Sequence, residues 1–247
     1  MKFLVRVVSI IILTSLITGC ETTEIRKAMV HFDRAFIPVL AYTYEGDIHQ
    51  AKRSVFYLEF QWQKVKKQYQ GYLPDEKERL NRVDNWLGDA YFAIDANKPL
   101  TAANQLEHVK YEFMELRRKY GVDYYLDGLY EFQDAIALLA EAAEDEMMCL
   151  MEWGEYEHLL YQAMDDWQAI RAKKLDAELF EFDEARLRQL VAKQDAMQAV
   201  LDQYAETFSC ANRKQLAIAS QSLQPVFFDV LILFGNFEAS QTYFAQK

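Results

Sequence analysis

The chain reads as an all-α protein, an antiparallel helical bundle, and three observations predict this. Only 8 Gly and 4 Pro in 247 residues leave few turn formers, which suits long helices rather than the many tight turns of a sandwich or barrel. Apolar residues recur at spacings of three and four along most of the chain, the period of a helix with one buried face, and few windows alternate with period two. A hydrophobic content of 51%, with 14% aromatic residues, is enough to bury a substantial core in one large domain or two small ones.

The first helix follows the cap-like stretch Glu21-Thr22-Thr23-Glu24 and carries Ile25, Met29, Phe32, Phe36, Val39 and Leu40 on one face. Pro38 inside it is expected to kink or split it, because its ring removes a donor and crowds the preceding turn. Tyr44-Glu45-Gly46-Asp47 reads as a stop, with Gly46 left-handed and Asp47 capping the next helix. That second helix runs from Ile48 to about Tyr69 through Ala51, Val55, Leu58, Trp62 and Val65. The turn from Gly71 to Glu76 offers Pro74 and two acids to a helix start. A third helix then passes through Leu80, Val83, Leu87 and Tyr91 to about Asp95. Asn97-Lys98-Pro99 breaks the pattern, Thr101 is read as the cap of a fourth helix through Leu106, Val109, Phe113 and Leu116, and Gly121 closes it.

From Asp123 the pattern restarts. A fifth helix carries Leu126, Leu129, Tyr130, Ile136, Leu139 and Ala143 and is expected to stop near Trp153-Gly154-Glu155. A sixth begins at Tyr156 with Leu160, Ala163, Trp167 and Ile170. The seventh spans about Phe182 to Phe208, and the eighth about Asn212 to Phe234 with a kink at Pro225. Glu45-Gly46-Asp47 and Trp153-Gly154-Glu155 stand in similar places, as do Gln105-Leu106 and Gln215-Leu216, so the bundle is expected to consist of two related four-helix units. Helices this long do not fit a 34-residue tetratricopeptide-type solenoid.

The first residues are of another kind. Lys2 and Arg6 precede the apolar run Val7 to Leu16, which ends in Ile17-Thr18-Gly19-Cys20; these are the parts of a secretory signal, too short to span a bilayer as a stable helix. The tetrad resembles the bacterial lipobox, and this likeness covers only residues 1 to about 21. It implies that the Cys20 sulfur receives a diacylglycerol, that the chain is cut ahead of Cys20, and that the new amino group is acylated. Several acyl chains anchor firmly where one holds only marginally, at about 0.8 kcal/mol per buried methylene. Glu21 stands where aspartate would signal inner-membrane retention in Gram-negative lipoproteins, so the likeness implies the periplasmic face of the outer membrane. The expected organisation is a signal peptide over 1–19, one helical unit over 20–121 and a second over 122–247.

The whole chain carries a formal net charge of −11. Without residues 1–19, 25 Lys+Arg face 38 Asp+Glu, a net of −13. That speaks against a nucleic-acid partner, which needs a cationic face to displace counterions, and against adhesion to anionic lipid beyond the anchor. The expected partners are the lipid bilayer, through acylated Cys20, and an envelope protein.

With Cys20 consumed by lipid, Cys149 and Cys210 remain in a compartment that oxidises cysteine pairs. Antiparallel helices would bring both to one end of the second unit, where a bridge closing a loop of about sixty residues would contribute roughly 4 kcal/mol on the chain-entropy account. The alternative is two unconnected cysteines. A metal reading gathers Met147, Met148, Cys149, Met151 and His158, soft ligands for copper. Consecutive helical residues point about 100° apart, so only Met147 and Met151 share a face. Glu155-x-x-His158 supplies one half of a di-iron pattern that needs two. His108 and Glu112 share a further i, i+4 spacing. The metal alternative therefore rests on His158, Cys149, Met151 and Glu155, with copper or iron as the ion. No His-Glu-x-x-His, Gly-x-Ser-x-Gly, Cys-x-x-Cys-His or phosphate-cradling glycine loop occurs, and no acid or base is assigned. The expected role is non-catalytic binding or scaffolding. The aromatic residues from Tyr124 to Tyr156 are read chiefly as core, with a partner or ligand groove as the alternative.

Overall fold

Ten α-helices and two short 3-10 turns follow one another in the computed structural model, which describes residues 25–144, 150–210 and 212–245 and contains no strand among them. The helices are α1 (25–44), α2 (Ile48–Tyr72), α3 (Lys77–Asp95), α4 (Pro99–Lys119), α5 (Tyr125–Glu144), α6 (Leu150–Ala172), α7 (Glu184–Ser209), α8 (Arg213–Ser220), α9 (Leu223–Leu231) and α10 (Phe237–Ala245). The all-α expectation is correct. By internal packing the chain forms two compact units. One takes the chain up to Val109 and again from Gly235, and the other is Lys110–Phe234. The signal stretch and Cys20 lie outside the described residues, as do Met147, Met148 and Cys149.

In the first unit α1 is the core helix. Every residue from Ala35 to Ala41 is buried, and a helix that is apolar all round has no face to give to solvent. Pro38 does not split it. Its missing N–H leaves the Arg34 carbonyl without a helical donor, and the backbone N–H of Asn236 supplies one at 2.7 Å, so the break is satisfied from outside the helix. Phe32 stacks on Phe36 and meets Trp62 edge-on. The Trp62 Nε1–H donates to Asp84 of α3, which Lys66 of α2 also engages. α10 packs along α2, with Tyr243 against Tyr57 and Phe60, and its Phe237 meets Tyr42 of α1.

In the second unit α5 is central, with nine buried residues including Leu126, Leu129, Phe132 and Ile136, and it packs on α6, α8 and α9. Phe132 sits between Trp167 and Phe227, and Phe234 collects Tyr125, Phe180 and Phe182. Two buried cations on α4 pair with α5 in antiparallel register, Lys110 with Asp134 and Arg117 with Asp127.

Several boundaries differ from expectation. α6 runs straight through Gly154, so no helix ends at Trp153-Gly154-Glu155. Gly154 lies on an exposed helical face without positive φ, and there it costs only about 1 kcal/mol against alanine. The eighth segment is two helices. Asn212 caps α8 through Gln215 N–H, the chain bends at Gln221-Ser222, and α9 restarts so that Pro225 falls in its first turn, where no helical donor is required. α4 begins at Pro99 itself rather than at Thr101. α10 was not expected, although Asn236 caps it by accepting from Ala239 N–H at 2.9 Å.

Candidate functional site

The α2–α3 hairpin carries a recess. Asp47 starts α2 by accepting from Gln50 N–H at 3.1 Å, after Gly46 at φ +73° has reversed the chain. α3 is closed off by Asn97, two residues past its last turn, whose φ of +57° lets Lys98 N–H reach back to the Ala93 carbonyl at 2.9 Å. Lys52 ties the two helix ends together. Its Nζ donates to the Asp95 carbonyl at 3.0 Å and stands 3.2 Å from the Asp95 carboxylate, a cation at the negative end of α3.

Beneath this tie lies a cavity of about 360 Å³. It is lined by Val55, Phe56, Tyr91 and Ile94 together with the polar His49, Lys52, Arg53 and Asp95. The spacing explains the assembly: 49, 52, 53 and 56 are i, i+3, i+4 and i+7 on one face of α2, and 91, 94 and 95 share a face of α3. This stripe lies beside the Ala51, Leu58, Trp62 and Val65 face that makes the core, and all four of those residues are buried. Tyr91 reaches back from the cavity wall into the hairpin, where its hydroxyl is buried with no hydrogen-bond partner among the described residues. Burial first, and then the Glu59 and Asp84 carboxylates, push that hydroxyl well above its ordinary range. Tyr91 therefore stays neutral and acts as wall, not as an acid.

No known family, curated protein or solved structure matches the chain.

Of the residues singled out from the sequence, Glu155 and His158 lie one turn apart on α6 and both are exposed. Met151 stands in the first turn of the same helix. Among the described residues no three His, Cys, Asp or Glu side chains converge as a metal site. Cys210 is exposed at the C-cap of α7, and its backbone N–H donates to the Glu206 and Thr207 carbonyls at that helix end. His108 stacks on Trp86 at 5.3 Å. The aromatic residues around the chain's middle are core: Tyr124, Tyr125, Tyr130, Phe132 and Tyr156 are all buried, and Trp153 stacks on Phe208 at 4.6 Å. The Tyr156 hydroxyl donates to the Leu139 carbonyl at 2.9 Å and meets the hydroxyl of Tyr204.

Among the described residues, Arg213–Phe234 is long and apolar enough by composition to cross a membrane. It is broken at Gln221-Ser222 and gives Leu216, Leu223, Phe227, Val230, Leu231 and Phe234 to the core of the second unit, which accounts for its apolarity. The cavity stripe was missed from the sequence because it mixes cations with aromatic and aliphatic residues. A search for the i, i+3, i+4, i+7 spacing without regard to residue class would find it.

Proposed function

We propose that the chain is a lipid-anchored helical binding protein of the bacterial cell envelope, held by acylated Cys20 at the periplasmic face of the outer membrane and playing a non-catalytic binding or scaffolding role. The tetrad Ile17-Thr18-Gly19-Cys20 behind its apolar run supports the anchor. Glu21, where retention would call for aspartate, supports the outer membrane. The observation that carries the binding role is the α2–α3 cavity, an apolar recess with a few polar groups at its mouth, which is the usual make-up of a ligand site.

In this reading Cys149 and Cys210 are joined as a disulfide in the oxidising periplasm, and the purified protein carries no stoichiometric copper or iron. Labelled palmitate should enter the wild-type chain and not Cys20→Ser, and the labelled chain should sediment with outer-membrane vesicles. Recovery of unlabelled wild-type protein in the periplasmic fluid contradicts the anchor. Thiol titration of the denatured, unreduced protein that finds two free thiols contradicts the bridge.

A further inference from the structure

We draw no further inference here: the strongest candidate, the exposed apolar surface that Phe92 and Leu100 present on either side of the α3–α4 turn, carries none because nothing in the structure shows what covers it.

Discussion

The backbone N–H of Asn236 donates to the Arg34 carbonyl across 2.7 Å, joining residues two hundred positions apart at the one helical hydrogen bond that Pro38 forbids. Gly235 makes this approach feasible. A Cβ at that position would lie 2.7 Å from Phe237 Cε2 and 3.1 Å from Ile37 Cγ2. Gly235→Ala should therefore destabilise the first unit by about 1–3 kcal/mol, as overpacking does. Gly88→Ala is the control, since nothing lies within 4 Å of its added Cβ, and a mid-helix alanine should stabilise by about 0.5–1 kcal/mol. Urea midpoints that move in the same direction for both variants would contradict this.

Arg117 is buried with a bidentate grip on Asp127 and lies 4.4 Å over the Tyr124 ring. Asp127→Ala removes the carboxylate that this buried guanidinium grips, at a cost of about 3–5 kcal/mol. Replacing both partners, Arg117→Met with Asp127→Leu, should recover most of the loss. The exposed pair of Arg188 and Glu184 should contribute under about 0.5 kcal/mol when either is truncated. Equal losses for the two pairs in denaturant titrations would refute the distinction.

Alkaline pH should unfold the second unit earlier than acidic residues alone would suggest. Burial raises Tyr125 and Tyr204 from an ordinary 10 to about 12, and raises Tyr156 further. Each hydroxyl holds its proton more tightly folded than unfolded, so this stability is fully present below about pH 10 and is lost as pH rises toward 12. Tyrosinate absorbance should then appear together with loss of helicity. Free titration of these tyrosines at pH 10 in a chain that stays helical would contradict the burial argument.

Asp127 shifts upward too, because burial outweighs the pull of Arg117 on its carboxyl. Its proton is bound more tightly in the folded chain, so its contribution is fully present below the ordinary aspartate range and lost as pH rises through the raised folded value. Asp127→Asn should flatten this part of the stability profile measured against the wild type in mildly acidic buffer. An unchanged slope would show that Arg117 dominates burial.

How much was legible in the sequence follows from where each signal has its cause. Gly46 and Gly121 were read correctly as helix ends because both need left-handed backbone, φ +73° and +61°, and that requirement is local. Gly154 misled because a glycine without positive φ only weakens a helix. Pro38 leaves α1 unsplit because the partner that satisfies the Arg34 carbonyl comes from Asn236, far along the chain. α10 was missed even though Asn236 is a cap residue after a glycine, since the apolar pattern behind it is short. The cavity was hidden in a stripe whose residues differ in class, although their spacing is helical. A unit boundary that falls inside α4 carries no glycine or proline to mark it.

The anchor at Cys20 is the claim on which both the location and the cysteine pairing depend. The most direct test is mass spectrometry of the N-terminal peptide released from membrane-purified protein. The account predicts a peptide that begins at Cys20, with a diacylglycerol on its sulfur and an acyl group on its amine. A peptide that retains the Val7 to Leu16 run, or begins elsewhere with Cys20 unmodified, would contradict it.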